Sequence, residues 1–256
     1  MGTRFELALV IDESRHSMTH LRAAGELALR EIEDWHQRLT RFECDSWLSH
    51  VNRTAAREPV RLDADTEALF RDAIDVWRGS AGAFDVTRGD GGALSMEAGE
   101  LRFLHHRVSL DLGAIGKGHA LDCAAQCLRA HGVSRALVQG GTSSGIALGA
   151  PPDGASWRIG LSSTTAAGGR NDTIDLADLS FSVSDDGSQP DAPGGRHIVD
   201  PRETHEPHGQ HGPRRVVVTG RSARLADAWS TALVVLGDVP PAFPSGYVAR
   251  FVQKES

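Results

Sequence analysis

A glycine-rich turn between a predicted strand and a predicted helix constrains this chain more than any other segment. The sequence LDLGAIGKGHALD runs from Leu110 to Asp122 and has glycines at positions 113, 116 and 118. Such glycines let backbone amides approach a ligand closely, and the N-terminus of the following helix attracts anions such as the phosphate that Lys117 could pair with. The spacing matches neither GxGxxG nor a Walker loop, which argues against the usual nucleotide-binding folds. A tight turn that needs small residues explains the segment equally well.

The hydrophobic patterns along the rest of the chain predict helices mixed with strands. Apolar residues recur every three or four positions in four segments, which predicts helices over residues 17–39, 65–78, 118–130 and 222–236. Alternating or short apolar runs predict strands over residues 5–11, 107–113, 135–141, 157–161, 172–176, 181–184, 216–220 and 246–253. We expect loops at residues 89–100 and 185–215. The fold class is therefore α+β (mixed α/β), with mixed β-sheets packed with helices.

Polar and glycine residues mark the ends of the predicted helices. Asp63 or Asp65 is expected to cap the second helix, and Ser222 the last one. Gly132 and Gly237 follow predicted helix ends, where glycine is the usual residue. Because no internal repeat or linker interrupts this order, we expect a single domain over residues 1–256.

Composition and charge exclude some classes of function. The net charge of −7 leaves no basic footprint for nucleic acid. No stretch approaches the roughly 20 apolar residues that cross a bilayer, so we expect no membrane-spanning segment. The N-terminus carries no export signal or lipid-attachment cysteine, which predicts a cytoplasmic protein, although a chain trimmed of its leader would look the same.

The chain has three cysteines, Cys44, Cys123 and Cys127, and none of them has the CxxC spacing of a metal site. Cys123 and Cys127 are four residues apart in a predicted helix and therefore share one face. We interpret them as small core residues rather than ligands, and free thiols suit a reducing compartment.

Asp227 and Thr231 are the strongest candidates for a metal site. They are four residues apart in the predicted last helix, so both oxygen-bearing groups point the same way. A carboxylate and a hydroxyl suit a hard cation such as Mg²⁺, which keeps several waters and takes phosphate oxygens. The alternative is an Asp stabilised by the helix dipole in the first turns, with Thr231 bonded to its own backbone.

A histidine and an arginine in the segment GRHIVDPRETHEP are candidates for phosphate chemistry. His197 could position or deprotonate an incoming hydroxyl beside a pyrophosphate. Arg202 could hold a phosphate or a carboxylate. Three further histidines, His205, His208 and His211, lie in a Gly/Pro-rich stretch that we interpret as solvated rather than metal-binding.

Eight segments, spread over nearly the whole chain, together resemble the ApbE family of FAD:protein FMN transferases. In chain order they are MGTRFEL, TRFECDSWLSHVNR, GAFDVTRG, LDLGAIGKGHALD, LVQGGTSSGIALG, FSVSDDG, RHIVDPRETHEP and ADAWSTALVVLG. The resemblance implies an ApbE-like fold with an FAD cleft between two lobes. It also implies that Asp227, Thr231 and the backbone carbonyl of Ala114 bind Mg²⁺, and that His197 and Asp227 are catalytic.

The resemblance further implies which residues bind FAD. Lys117 and Gly116 would lie by the flavin nucleotide, and His197 by the phosphates. The residues that would shape the flavin and adenine pockets are Phe42, Ser46, Phe84, Asp85 and Thr87. Asp122, Gly140, Gly141 and Ser184 complete the implied FAD-binding set.

The chemistry that the resemblance implies is attack by a protein Thr or Ser hydroxyl on the FMN phosphorus of FAD, which releases AMP. The partners would be FAD and an acceptor flavoprotein, since no acceptor motif is found in this chain. Three alternatives remain: an FAD pyrophosphatase that lets water attack, an FAD-binding protein without turnover, and a structural domain that binds no flavin.

Five positions depart from the family's pattern. Thr142 replaces an acid, Asp185 a glycine, His119 a tyrosine, Gln139 an asparagine and His205 a glycine. Asp185 could crowd a bound nucleotide or repel it, because a like charge about 4 Å from a phosphate oxygen costs on the order of a few kcal/mol. These departures predict altered substrate or acceptor recognition.

Overall fold

The computed structural model describes residues 3–11, 16–161, 173–186, 198, 200–202 and 214–253. Within these ranges the helices are α1 (Met18–Leu39), α2 (Trp47–Thr54), α3 (Ala64–Gly79), α4 (Gly116–Ala130) and α5 (Ala223–Leu236). The strands are β1 (Phe5–Leu9), β2 (Val60–Arg61), β3 (Leu94–Glu97), β4 (Glu100–Phe103), β5 (Ala136–Gly140), β6 (Ser144–Leu148), β7 (Trp157–Gly160), β8 (Thr173–Leu176), β9 (Ser180–Asp185), β10 (Arg214–Gly220) and β11 (Val248–Gln253).

A six-stranded antiparallel sheet carries the helices. Its strand order is β1-β5-β6-β9-β10-β11, and every neighbouring pair is antiparallel. A three-stranded sheet, β2-β4-β3, and the two-stranded β7-β8 complete the β-structure of the described residues. The α+β fold class is confirmed.

The central sheet separates two hydrophobic cores. Helices α4 and α5 lie on one face, where α4 contacts β5 and β6, and α5 contacts β9 and β10. Helix α1 packs on α4, and α3 packs on α5. On the other face Leu137, Phe181 and Val217 form a smaller cluster with Ile159 and Leu176 of β7 and β8. Because strand side chains alternate between the two faces, one strand contributes to both cores.

The predicted helices are confirmed, and so are their end signals. The Asp63 carboxylate accepts a hydrogen bond from the amide of Thr66 at 2.9 Å and caps α3. The Ser222 hydroxyl accepts from the amide of Leu225 at 3.3 Å and caps α5. Gly237 ends α5 in the left-handed region with a φ of 74°, which glycine adopts without steric cost.

Two predictions of local structure are wrong. The strand predicted over residues 107–113 is not formed, although Val108, Leu110 and Leu112 are buried as the alternation required. Its backbone groups bond elsewhere, because the Asn52 side chain donates to the carbonyl of Leu110 at 3.1 Å and accepts from its amide at 2.8 Å. Alternating burial therefore does not require a neighbouring strand.

The loop predicted over residues 89–100 contains a 3₁₀ turn, the strand β3 and the turn to β4. Ala98 and Gly99 both have positive φ, 51° and 75°, and connect strands in which Glu97 pairs with Glu100. Two central residues with positive φ are typical of a tight hairpin whose twist matches its strands.

Helix α2 and strand β6 were not predicted. The predicted loop at 185–215 lies mostly outside the described residues.

The cysteines and the helices agree with two further expectations. Cys123 and Cys127 are half-buried on α4 and pack against the larger core, whereas Cys44 is exposed; all three are free thiols. None of the helices within the described ranges is long and apolar enough to span a membrane.

Candidate active site

Asp227 of α5 is a buried carboxylate with three hydrogen-bond donors. Its side chain is 2% exposed. Oδ1 accepts from Nζ of Lys117 at 3.0 Å and from Oγ of Ser182 at 3.1 Å. Oδ2 accepts from the backbone amide of Gly118 at 3.0 Å. A carboxylate in this apolar surrounding requires such compensation, and Lys117 provides the opposite charge.

Close packing of α4 on α5 brings Lys117 to Asp227. A Cβ atom at Gly118 would lie 2.2 Å from the carbonyl oxygen of Ala223, a distance that no real Cβ keeps from backbone. Glycine at position 118 is therefore required by the contact between the two helices. The sequence predicted close approach of a ligand here, and the structure shows close approach of α5.

Four hydroxyl groups of β9 and α5 form a cluster beside Asp227, and that of Ser182 bonds its carboxylate. The Ser182 hydroxyl, on β9, contacts Asp227 directly, and Ser230 of α5 donates to Ser182 at 3.2 Å. Ser184 lies 2.8 Å from the Ser230 hydroxyl and 3.4 Å from that of Thr231. Thr231 donates to the backbone carbonyl of Asp227 at 3.2 Å, which is the local bond that the sequence left open as an alternative.

The donor set fits a hard cation. A carboxylate with neighbouring hydroxyl oxygens is the kind of site that Mg²⁺ accepts while it keeps water or phosphate ligands. Among the described residues no three His, Cys, Asp or Glu side chains are grouped to hold a metal, so oxygens of other groups would complete the coordination. Asp227 and Thr231 are the residues of this chain that would hold the ion. Ala114 lies two residues before the start of α4.

The predicted glycines of β5 lie in register with this cluster. Gly140 pairs with Ser144, and Ser144 pairs with Ser182 on the next strand of the sheet. A Cβ at Gly140 would lie 2.8 Å from Cε1 of Phe5, so glycine makes room for that ring on β1. Gly141 has a φ of 59° in the turn between β5 and β6. These glycines therefore shape the end of the sheet beside the hydroxyl cluster.

Asp85 organises its own loop through hydrogen bonds from both of its carboxylate oxygens. One oxygen accepts from the amide and hydroxyl of Thr87 at 2.7 and 2.6 Å, and the other accepts from the amides of Gly89 and Gly91 at 2.9 and 3.0 Å. Phe84 and Thr87 are buried. All three predicted residues of this loop therefore support its conformation.

The segment Asp200–Arg202 packs against the same loop. A Cβ at Gly89 would lie 3.1 Å from the carbonyl of Pro201, and one at Gly82 would lie 3.5 Å from Cγ of Arg202. The Arg202 guanidinium donates to both oxygens of Asp200, at 2.8 and 2.6 Å. Burial alone would raise the pKa of Asp200, but the hydrogen bonds and charge of Arg202 lower it. Arg202, the candidate phosphate ligand, thus forms an ion pair with a carboxylate of its own chain.

Two other predicted FAD-binding residues, Asp122 and Ser46, have local structural contacts. Asp122 accepts from the Ser222 hydroxyl at 2.7 Å and from the amides of Ala223 and Arg224 at 2.8 and 3.1 Å, so it caps α5 from α4. Burial raises the pKa of Asp122, partly offset by these bonds. Ser46 accepts from the amide of Ser49 at 3.0 Å and caps α2.

Phe42 is a predicted site residue on the surface. It is 79% exposed, and the Arg41 guanidinium lies 4.6 Å from its ring centre. Arg41 also pairs with Asp111 at 3.0 Å, and Asp111 accepts from the amide of Gly113 at 3.0 Å. Phe42 is therefore linked through Arg41 to the glycine turn that leads into α4.

The side chain of Asp185 points away from Asp227. Ser182 and Ser184 face α5, whereas Val183 packs with the smaller core on the other face of the sheet. Side chains alternate along a strand, so Asp185 shares the face of Val183. It also pairs in register with Arg215 of β10. The structure therefore does not direct this carboxylate into the hydroxyl cluster.

His119, which stands where the family pattern has tyrosine, is a buried neutral ring. Burial, together with the charges of Arg224 and Arg38, lowers the pKa of His119 to about 3. Nδ1 lies 3.1 Å from the guanidinium of Arg224 and accepts from it, and the proton is on Nε2, which faces the Cys123 sulfur at 3.8 Å. Arg224 also pairs with Asp72 at 2.6 Å. This network joins α3, α4 and α5 next to the Asp227 site.

His197 lies outside the described residues, and so do His205, His208 and His211. The role of His197 beside the phosphates stays a prediction. Sequence reasoning missed Ser182, Ser230 and the capping role of Asp122. Ser182 lies two residues before Ser184 on the same strand face, and Ser230 lies three residues after Asp227 on the helix, so the signal for both was strand and helix periodicity.

The antiparallel sheet and its helices define an α+β protein. Its candidate site combines an Asp–Lys pair at the start of α4 with a hydroxyl cluster, and these groups suit a hard cation and phosphate groups. The sequence matches the profile of the ApbE family over residues 1–96 and 90–241. The chain therefore belongs to the ApbE family.

Two curated relatives are named FAD:protein FMN transferase. The protein of Escherichia coli (strain K12) is 31% identical over 134 residues, which are 50% of this chain and 37% of the relative. The protein of Salmonella typhimurium is 31% identical over 135 residues, with the same coverage of 50% and 37%. The match thus spans little more than a third of the length of these relatives.

Solved structures share the fold over most of the chain. The flavin transferase ApbE from Vibrio cholerae is 23% identical with a TM-score of 0.74, covering 92% of this chain and 84% of that one. The apo form of the Pseudomonas stutzeri flavinyl transferase ApbE is 23% identical with a TM-score of 0.76, covering 99% of this chain and 92% of that one. The predicted ApbE-like fold is confirmed.

Proposed function

We propose that this chain is a Mg²⁺-dependent FAD:protein FMN transferase that attaches FMN from FAD to a Thr or Ser hydroxyl of an acceptor protein. Membership of the ApbE family and the names of the curated relatives support this function. The observation that carries it is the buried carboxylate of Asp227, which accepts hydrogen bonds from Lys117 and the Gly118 amide in the first turn of α4 and from the Ser182 hydroxyl.

The residues of this chain would act on a pyrophosphate in distinct ways. The N-terminus of α4 attracts negative charge through its dipole. Lys117, 20% exposed at this terminus, adds a positive charge that could pair with a phosphate. Ser182 and the amide of Gly118 hold the Asp227 carboxylate in one orientation. When bound at Asp227 and Thr231, Mg²⁺ would neutralise charge between the two phosphates.

In the proposed reaction the oxygen of the acceptor hydroxyl forms a bond to the FMN phosphorus, and the bond from that phosphorus to the AMP oxygen breaks. The hydroxyl proton needs a base, and we assign that role to His197. The bridging oxygen leaves with the adenylate half as AMP, and Lys117 can pair with the charge of this leaving group. The acceptor protein supplies the hydroxyl, and FAD is the second substrate.

The function is tested by incubating the protein with FAD, Mg²⁺ and an acceptor protein that carries a known flavinylated threonine. We expect AMP in solution and FMN covalently attached to the acceptor, both abolished by EDTA. The matched control is the same acceptor with that threonine changed to alanine, which should carry no FMN.

Other outcomes of the same experiment support other functions. Release of AMP with free FMN, independent of the acceptor, would make the protein an FAD pyrophosphatase. Tight FAD binding without cleavage would make it a flavin-binding protein. An active Asp227→Ala protein would contradict the metal assignment.

A further inference from the structure

We propose that Lys117 occupies the cation position of Asp227 in the metal-free protein, and that a divalent cation displaces its ammonium group towards the substrate phosphates. This inference rests on the proposed function, because it takes Asp227 as a metal ligand. It assigns Lys117 a positioning role that links metal binding to phosphate binding.

The hydrogen bonds of Asp227 leave little room for a cation. A carboxylate oxygen has two lone pairs, and Oδ1 already accepts from Lys117 and Ser182 at 3.0 and 3.1 Å. Oδ2 accepts from the amide of Gly118 at 3.0 Å and keeps one lone pair. Ser182 links Oδ1, and not Oδ2, to the hydroxyl cluster that contains Thr231, so a cation that binds Oδ1 together with Thr231 competes with Lys117 or Ser182.

Lys117 is the donor that can leave. The amide of Gly118 belongs to the backbone of α4, which is in tight contact with Ala223 of α5. The Ser182 hydroxyl is buried on β9 and is held by Ser230 at 3.2 Å. Lys117 has a flexible four-carbon stem and is 20% exposed, so its ammonium group can rotate outwards without moving the backbone.

Electrostatics favours exchange over joint occupancy. An ammonium group and a divalent cation on one buried carboxylate would place three positive charges against one negative charge. The dipole of α4, whose first turn carries both Lys117 and Gly118, adds positive potential at the same point. Repulsion between the cations is strong in a buried site because the effective dielectric is low. The incoming cation is therefore expected to expel the ammonium group.

The exchange couples the two ligands of the site. Once released from Asp227, the ammonium group is unpaired until a phosphate arrives at the N-terminus of α4. Metal binding therefore frees the charge that recognises the pyrophosphate, and each ligand should tighten binding of the other.

The test compares wild type with Lys117→Met, which keeps the stem and removes the charge, and with Lys117→Arg, which keeps the charge. Binding of Mn²⁺, used as a probe for the divalent site, is measured by titration without FAD. We expect Lys117→Met to bind Mn²⁺ about tenfold or more tightly than wild type, and Lys117→Arg to bind it no more tightly. Equal or weaker binding by Lys117→Met would overturn the proposal, and so would the absence of Mn²⁺ binding by all three proteins.

Two further measurements test the exchange, and the first needs only the wild-type protein. In a crystal structure of the wild-type protein with Mn²⁺, we expect Nζ of Lys117 to have left Oδ1 of Asp227, and an unchanged contact would contradict the exchange. Pyrophosphate, which also coordinates Mn²⁺ directly, should tighten Mn²⁺ binding about tenfold more in wild type than in Lys117→Met, and an equal effect in both proteins would mean that Lys117 is purely structural.

The outcome is separable from that of the proposed function. If the wild type transfers FMN and Lys117→Met has an unchanged affinity for Mn²⁺, the exchange is disproved and the proposed transferase function stands. Tighter Mn²⁺ binding in a protein that never transfers FMN would remove the transferase and leave the exchange intact.

Discussion

The backbone amide of Gly118 lies 3.0 Å from Oδ2 of Asp227, and this hydrogen bond joins the first turn of α4 to the buried face of α5. The contact fixes the candidate metal ligand relative to Lys117 and to the glycine turn before α4. A carboxylate held by backbone on one side and by Ser182 on the other cannot rotate freely. The geometry of the site therefore depends on how closely the two helices pack.

Gly118→Ala should separate α4 from α5. The new Cβ would meet the carbonyl of Ala223 at 2.2 Å, so backbone must shift. We expect the free energy of unfolding to fall by about 1–3 kcal/mol, as in other overpacked cores, and FMN transfer to fall with it. Urea unfolding checks the stability. Gly160→Ala is the control, since no described atom lies within 4 Å of its Cβ; equal stabilities of the two variants would contradict the packing argument.

Asp227→Asn should abolish metal-dependent chemistry while keeping the fold. The amide is nearly isosteric and can still accept from Gly118, but it carries no charge for a cation or for Lys117. We expect the rate of FMN transfer to fall by about two orders of magnitude or more, because metal stabilisation of phosphoryl transfer is worth several kcal/mol. Circular dichroism checks the fold. Wild-type activity at any Mg²⁺ concentration would disprove the role of this carboxylate.

Ser182→Ala should weaken the site through the orientation of Asp227. Loss of its hydroxyl leaves Oδ1 with Lys117 as its donor, and we expect weaker Mn²⁺ binding and a lower kcat with little change in KM for FAD. Ser180→Ala is the matched control on the same strand face, because the Ser180 hydroxyl donates to the carbonyl of Gly220 at 2.8 Å and not to Asp227. Identical metal affinities of both variants would show that Ser182 is merely structural.

His119→Gln should reduce the loss of stability in mild acid. The folded state keeps the ring neutral, with a pKa of about 3, whereas the unfolded state takes up a proton below about pH 6.5. The unfolded state therefore binds more protons between these values, and stability falls as the pH falls through this range. Between pH 7 and pH 5 the wild type should lose about 2 kcal/mol more than His119→Gln. Urea titrations at both pH values measure this, and parallel losses would contradict it.

Asp63→Ala should destabilise α3 through loss of its cap. Asp63 accepts from the amide of Thr66 and pairs with Arg38. Burial works against its charge, but the Thr66 and Arg38 contacts lower the pKa of Asp63 to about 2. The stability that ionised Asp63 contributes is complete above about pH 4 and is lost as the pH falls through about 2. The stabilities of wild type and variants should therefore be compared at pH 7.

We expect Asp63→Ala to cost about 1 kcal/mol in thermal unfolding. Asp63→Ser, which restores the cap without the charge of the Arg38 pair, should recover most of it. If Ser and Ala are equally destabilising, the ion pair outweighs the cap.

The helices were predictable because their signals are local. The apolar faces of α1, α3, α4 and α5 recur within the helix itself, and Asp63, Ser222 and Gly237 mark ends that depend on neighbouring residues. Strands were less predictable, since a strand needs a partner that the local pattern does not name. The segment 107–113 has the burial of a strand, yet the Asn52 side chain takes its backbone bonds.

Part of the candidate site was also predictable from local signals, and part was not. Asp227 and Thr231 lie on one helix, four residues apart, so the sequence predicted that they share a face. Ser182 and Lys117 are separated from Asp227 by 45 and 110 residues, and local periodicity contains no information on such contacts. Asp122 was expected at a cofactor, whereas it caps α5 from another helix.

The sequence by itself determined the α+β class, the positions of the long helices and the shared face of Asp227 and Thr231, the candidate oxygen ligands on α5, because these depend on contacts within a few residues. The tertiary structure decided which donors surround Asp227, which face Asp185 takes and why residue 118 is a glycine. Each of these depends on the distance between α4, α5 and β9, and that distance is set by the packing of side chains far apart in the chain.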